Sequence, residues 1–368
     1  KKEICLGEKK QIACKYIGLG LTRDKALSIL NLSQHQYYYK PKGHRPGKKP
    51  TQTTLKQVHQ QVEEVSNQEV IEDIITTQSD PDTDYGYHKM STLLMIAGYF
   101  INHKKVYRLM KEAGLLKEKH KKRDKTYVKY RIVSPDGPLQ LLEMDIKYVW
   151  VTRERRHAYI LTVIDTFTRF VLHWQVGFSM KARQVKQAWE EVICNYLQPA
   201  DLLSQKVHIE VRNDNGPQFG AKIIRQFFEQ NHLNQVFTHP YTPQENGHIE
   251  SFHSILSNAI GTQVFWDMEE LISRLTVFYE KYNNVRLHGS IANLPPRIFW
   301  NLWQEGKITR KVLKNKKAKF NLNIPYQQLS GNMNQREVPC PQTKTLNGFE
   351  FENENEMFGA ESFLQPSV

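Results

Sequence analysis

The sequence predicts an α/β protein: a mixed five-stranded sheet with flanking helices, preceded by an all-helical region. Two observations carry this. Apolar residues recur every three to four positions up to about residue 116, and the period changes to two near Leu139. From there the segments run three strands, helix, strand, helix, strand, helix, the order of a sheet with helices packed on it. A length of 368 residues allows two or three domains.

Each element has a local reason. Residues 8–40 read as short helices. One starts at Thr22 or Arg23 and runs to about Leu30; after a turn at Asn31-Leu32, Ser33 can cap a second through Tyr39. Pro41, Gly43, Pro46, Gly47 and Pro50 then break the chain into a basic linker. A helix-turn-helix and a plain basic helical cap fit this stretch equally. Residues 55–116 read as helical again, with Val58, Val62 and Val65 on one face and Val70, Ile71, Ile74 and Ile75 following. Tyr85-Gly86-Tyr87 interrupts, and a helix from Lys89 to Ala97 stops at Gly98. Asn102 caps the next helix, which turns Val106, Leu109 and Met110 inward and Lys104, Lys105, Arg108 and Lys111 mostly outward. An apolar stripe opposite a basic face suits a DNA-docking helix, and equally any surface helix of a basic protein.

In the sheet, Leu142, Met144, Ile146, Tyr148 and Trp150 alternate with polar residues, so this strand has two different faces. Tyr159 to Ile164 is a buried strand and Phe170 to Val176 a third. Val185, Trp189, Val192, Ile193 and Tyr196 mark a helix. Val207, Ile209 and Val211 form a fourth strand, ended by Asn213-Asp214-Asn215-Gly216-Pro217. Phe219, Ile223 and Phe227 lie on a helix, Val236 to Thr238 is the fifth strand, and helices follow over Glu245 to about Ile260, Met268 to Tyr282 and Arg297 to Trp303. Beyond Phe320 the chain is polar, then acidic and aperiodic, so disorder is expected.

Charge narrows the function. The net charge of +13 favours a polyanionic partner. The basic residues cluster in residues 1–50, in Lys117 to Arg131, which includes Lys121, Lys122 and Arg123, and in Lys307 to Lys319. Such blocks bind phosphates in a salt-sensitive, sequence-tolerant way. No apolar run reaches the roughly 18 residues of a membrane span, and Lys1 to Cys14 is too polar for a signal peptide, so a cytoplasmic location is expected. The four cysteines lie far apart and form no CxxC pair, against zinc or a disulfide framework.

Three acids stand in suggestive places. Asp145 is on the first strand of the sheet, opposite Met144 and Ile146; Asp214 lies just past the fourth strand; Glu250 is on a helix, with thirty-five residues between the last two. Phosphoryl transfer on DNA needs an in-line nucleophile and neutralised charge on the attacking and leaving oxygens. Two magnesium or manganese ions ~3.5–4 Å apart supply that, and magnesium takes carboxylates and water. Alone, each acid is more simply a turn former or a solvated helix residue; spacing, setting and fold order together give the triad its weight.

These residues lie in telling stretches: Leu142-Glu143-Met144-Asp145, Asn213-Asp214-Asn215-Gly216-Pro217-Gln218-Phe219, and Pro243-Gln244-Glu245-Asn246-Gly247-His248-Ile249-Glu250-Ser251-Phe252. They resemble the catalytic core of insertion-sequence transposases related to retroviral integrases, in particular the large subunit of the two-reading-frame type. Ile164-Asp165-Thr166-Phe167-Thr168-Arg169, Tyr282-Asn283-Asn284-Val285-Arg286-Leu287-His288 and Pro295-Pro296 fit the same pattern. Tyr85 to Met90 and Val106 to Leu115 resemble the family's helix-turn-helix segment.

The resemblance implies an RNase H-like core at residues 137–303 and a helix-turn-helix region with a basic linker at 55–131; composition sets off a basic helical segment, with a helix-turn-helix as one reading, and its linker at 1–50, and a polar tail at 304–368 that is expected to be disordered. It also implies Asp145, Asp214 and Glu250 as ligands of two divalent ions, with Asp145 shared. It implies a multimer on double-stranded DNA ends, strand cleavage that exposes a 3′-OH, attack of that hydroxyl on a second phosphodiester, and a small partner protein encoded upstream. The bound protein is then expected at the bacterial nucleoid. Ser257 stands where the family often has Lys or Arg, and the tail beyond about Gln304 has no counterpart in it. Those departures leave two other readings open: a decayed or repurposed DNA-binding protein, and a nuclease that cuts without joining.

Overall fold

The computed structural model describes residues 4–40, 50–58, 61–80, 82–83, 85–117, 135–205, 207–238, 246–313 and 318–329. The chain divides into two units, Lys1–Gln52 and Thr53–Val368.

The first unit holds α1 (Leu6–Gly18), α2 (Arg23–Ile29) and α3 (Gln34–Tyr38). Ser33 caps α3 reciprocally: its Oγ accepts the Gln36 N–H at 3.1 Å, and the Gln36 side chain accepts the Ser33 N–H at 2.9 Å. Ala13, Leu27 and Leu32 form its small core.

The second unit begins with a correction. Residues 55–66, expected to be helical, form a hairpin of β1 (Thr53–Val58) and β2 (Gln61–Ser66), extended by β3 (Tyr99–Phe100) in the order β2-β1-β3. The spacing of Val58, Val62 and Val65 mimics a helix. However, of these two strands only Thr54 is buried, so the ribbon has no apolar alternation for the sequence to display. Gly98, at φ 95°, leads into β3; a Cβ there would lie 2.6 Å from the Gln57 carbonyl oxygen, so only glycine fits. Helices α4 (Asn67–Gln78), α5 (Tyr87–Ile96) and α6 (His103–Glu112) complete this region. Asn102 caps α6 by accepting the N–H groups of Lys104 and Lys105, both at 3.0 Å.

The central sheet has β4 (Leu141–Val151), β5 (Arg156–Asp165), β6 (Val171–Gly177), β7 (Ile209–Asn213) and β8 (Leu233–Phe237), in the order β6-β5-β4-β7-β8. The first three strands are antiparallel meanders; β4, β7 and β8 are parallel. This is the mixed five-stranded sheet that the sequence predicts. On one face, Met144, Ile146, Leu161 and Val163 pack on α7 (Ala182–Val192) and α9 (Lys222–Gln230) through Trp189, Ile224 and Phe228. The helix α7 continues through a π-helical turn, Ile193–Leu197, and the short α8 (Pro217–Gly220) precedes α9. On the other face, Ile160 and Ile164 meet α10 (Gly247–Ile260) and α11 (Met268–Asn284) through Ile249, Phe252, Leu256, Leu275 and Phe278. Each such side chain contributes about 1.5–3 kcal/mol on burial.

A third core joins α4, α5 and α6 to the end of the chain. Val70, Ile74, Leu94, Tyr99 and Leu109 share it with Phe167, Leu287, Phe299 and Leu302, the last two on α12 (Pro296–Gln304). The expectation of disorder from residue 304 does not hold through residue 329. Strands β9 (Ile308–Val312) and β10 (Ala318–Leu322) form an antiparallel hairpin, and Ile308, Phe320 and Leu329 enter this core. These apolar residues are too sparse among Lys and Asn to give a periodic signal, yet three aromatic contacts bind Phe320 to Phe167, Phe299 and Trp303. Residues 330–368, including the acidic stretch, lie outside the described residues. Among the described residues no helix is long and apolar enough to cross a membrane.

Candidate active site

The central sheet brings three acids to one region. Strands β4 and β7 run parallel with Glu143 in register with Arg212. Two residues further on, Asp145 and the residue after β7, Asp214, reach the same end of the sheet. The turn at Asp214 is fixed locally: its Oδ1 accepts the Gly216 N–H at 3.0 Å, and the Asn215 amide donates to the Thr238 carbonyl at 3.0 Å. Pro217 then opens α8. Glu250 stands in the first turn of α10.

Burial and the charge of Asp145 act on both of the other acids. The Asp214 carboxyl is raised above its ordinary value, by burial and by the negative charge of Asp145, against the pull of the Gly216 N–H. Glu250 is raised in the same way, by burial and then by Asp145, with His253 opposing. Like charges close together favour protonated carboxyls, and a cation between them would relieve that cost. The donor set is all carboxylate oxygen, which suits a hard divalent ion. Among the described residues no group of three His, Cys, Asp or Glu side chains is placed so that it could hold a metal ion as it stands. The segment leading into α10, residues 239–245, lies outside the described residues.

Two further residues at the site escaped the sequence reading. Glu143 lies two residues before Asp145, on the same face of β4, and is 1% exposed. Its Oε2 accepts the N–H of His248 at 3.1 Å and of Ile249 at 2.8 Å. Burial pushes its carboxyl up to about 7, against the Ile249 N–H and the charges of Arg169 and Arg212. The same two arginines, after burial, hold the neighbouring His248 down to about 2, so its imidazole is neutral. His253 places Nδ1 3.3 Å from Asp145 Oδ2. The one available signal for Glu143 is its place on the same face of β4 as Asp145; for His253, its place one turn after Glu250. Ser257 donates its hydroxyl to the His253 carbonyl at 2.7 Å, a bond within the helix.

The expected DNA-contacting residues divide. Lys104 and Lys111 are exposed on α6. Lys105 is half-buried and donates to the Thr53 carbonyl at 2.5 Å, and Arg108 lies 3.8 Å from Glu112. Both are therefore engaged within the fold. Lys121, Lys122 and Arg123 lie outside the described residues.

Comparison with known proteins agrees with this layout. An integrase core domain model matches residues 135–243, a second integrase core domain model matches residues 231–296, and an HTH-like domain model matches residues 63–123. A protein of insertion element IS476 of Xanthomonas euvesicatoria is 26% identical over 217 residues, 58% of this chain and 60% of that protein. The chain thus spans less than two thirds of that relative's length. InsK of Escherichia coli K12, assigned as the transposase of insertion sequence element IS150, is 26% identical over 58% of this chain and 76% of its own. The Gag-Pro-Pol polyprotein of Simian retrovirus SRV-2 is 30% identical over 130 residues, 35% of this chain and 7% of the polyprotein. The two integrase-core matches lie in order over a sheet of this topology, so residues 135–296 are similar to the integrase cores that insertion-element proteins and retroviral polyproteins carry.

Proposed function

We propose that the chain is a DNA transposase that cleaves and joins strands at the ends of a mobile element, with Asp145, Asp214 and Glu250 as the ligands of two divalent ions, magnesium or manganese. What supports this reading is the register of the parallel strands, which sets Asp145 and Asp214 two residues beyond the Glu143–Arg212 pair, together with the approach of Asp145 to His253, one turn after Glu250 on α10. A protein without a cation to bind has no reason to gather like charges at the end of a sheet.

When bound, the ions supply charge neutralisation at the scissile phosphate and a water of lowered pKa. The protein's own part is placement. In this reading β4 carries Asp145, the Asn215-Gly216 turn carries Asp214, and α10 carries Glu250. The nucleophile is water in the first step and the freed 3′-OH in the second. Both need the same in-line geometry, so one rigid site serves cutting and joining. Exposed lysines on α6 and the basic linker that includes Lys121, Lys122 and Arg123 would grip phosphates of double-stranded DNA. A homo-oligomer on the paired element ends, a small upstream-encoded partner protein and action at the bacterial nucleoid belong to this reading.

The test is cleavage and joining of DNA carrying the element's ends, with magnesium or manganese, by wild type and Glu250→Gln. Metal-dependent nicked and joined products are expected from the wild type alone, with equal DNA binding by both. Cleavage by the variant at the wild-type rate would overturn the triad.

A further inference from the structure

We propose that Glu143 is a positioning residue for this site: reaching from β4, it caps the helix that carries Glu250 and so sets where that carboxylate stands. The inference rests on the triad reading above. Helix α10 starts at Gly247 after Asn246, whose side chain makes no capping bond. The Oδ1 of Asn246 is buried without a partner among the described residues. A helix of fourteen residues needs acceptors for its first N–H groups. Here the second and third, those of His248 and Ile249, both point to one oxygen of Glu143, a residue more than a hundred positions earlier. The acceptor belongs to the sheet and not to the helix, so the cap also fixes the helix against the sheet.

The geometry makes it a ruler. Glu143 and Asp145 lie on one face of β4, and each meets α10: Glu143 at residues 248–249, Asp145 at His253. Glu250 lies between those two attachments. A helix pinned only at His253 could slide or turn about that contact, and Glu250 would move with it. Pinned at both points, it keeps its height and rotation relative to Asp145. Burial enforces the arrangement, because Glu143, Ile249 and Phe252 are all almost completely enclosed. Arg169 and Arg212 face Glu143 with opposite charge, and Arg212 is itself paired with Glu210 at 2.6 Å. The carboxylate is thereby held in place from behind while it serves the helix in front.

The experiment uses the full chain and compares wild type, Glu143→Ala, Glu143→Gln and Glu143→Asp, with Glu250→Gln alongside. Glutamine keeps an acceptor at the same reach; aspartate keeps the charge but is one methylene too short. Hydrogen exchange of the peptide spanning residues 246–253, measured without metal, reads the cap directly. Cleavage kinetics with magnesium read its consequence. The alanine and aspartate variants should exchange His248 and Ile249 about tenfold faster or more, the factor for losing their hydrogen bonds to Glu143. Their cleavage kcat should fall about a hundredfold, as for a catalytic group displaced by an ångström. DNA affinity should stay at the wild-type value, and Glu143→Gln should recover both readouts. Wild-type exchange in the aspartate variant, or a glutamine variant as impaired as aspartate, would overturn the proposal. If alanine prevents folding, the contrast between glutamine and aspartate still decides. Cleavage by Glu250→Gln would instead refute the triad, and the exchange data would stand apart from that result.

Discussion

Lys89 shows how much a single position can cost. It sits on α5, mostly enclosed, with its ammonium 5.5 Å from the Tyr85 ring. Burial, then the charges of Arg286 and Lys117, hold it down to about 8 from an ordinary 10.5. Below about 8 the lysine is charged in both states, and folding bears the whole cost. Between about 8 and 10.5 the unfolded chain binds a proton that the folded chain has released, so stability rises with pH in that window. Lys89→Met is expected to stabilise the protein at neutral pH and to remove that rise. Denaturant midpoints measured across the window check it, and an unchanged slope would contradict it. At this scale the sequence was informative where chemistry has a local signature. Asp214 announced itself by the Asn-Gly-Pro turn around it, and Asp145 by an acid in an alternating strand. Glu143 did not, because a glutamate in a strand reads as solvent-facing until the helix that needs it is seen. Lys105 reads as outward for the same reason, since the Thr53 carbonyl that engages it depends on the fold, whereas Arg108 lies near Glu112 one turn on in the same helix, a local pair.

Among the elements, those with strong periodicity were legible and those with weak periodicity were not. The first four central strands and helices α7 and α10 to α12 fall where the apolar pattern puts them, whereas the fifth strand starts three residues before Val236 and the helix expected through Phe219, Ile223 and Phe227 is broken at Ala221 into α8 and α9. The hairpin β1–β2 failed because almost all of it is exposed, and β9–β10 because a few aromatic anchors do the packing. Helix α6 illustrates the other side. Its apolar stripe of Val106, Leu109 and Met110 is buried as the pattern requires, and this leaves Lys104 and Lys111 facing out. Changing both to alanine is expected to weaken DNA binding across sequences and to lower the slope of log affinity against log salt by about 2. Binding titrations at several salt concentrations test this, and an unaltered slope would remove α6 from the DNA interface. Arg108→Ala should do less, since its guanidinium already lies near Glu112.

Across the whole second unit, the helical region and the catalytic sheet are not independent bodies. The loop before α5 is bound to α11: Arg274 reaches Asp82 at 3.1 Å and Lys281 reaches Asp80 at 2.6 Å. The Leu287 N–H donates to the Tyr85 hydroxyl at 2.8 Å. The β9–β10 hairpin adds Phe320 to the same core, and Gln327 donates to the Tyr99 carbonyl at 3.1 Å. Ending the chain at Gln304 would expose Phe167, Phe299 and Trp303 together. That variant is expected to melt earlier and to aggregate on heating. Calorimetry with light scattering would show it; a melting point equal to that of the full chain would mean that the hairpin contributes nothing to the core.

The same core has a consequence for the order of synthesis. Val70 and Ile74 leave the ribosome before the rest of it, and Phe299, Phe320 and Leu329 are made more than two hundred residues later. Contacts so distant along the chain form slowly, because a long loop must close before they reward it. A nascent chain therefore carries α4, α5 and α6 with an open apolar side until the segment through Leu329 has been made. The region made first is sealed last, and during that interval it depends on chaperones or on speed to avoid association.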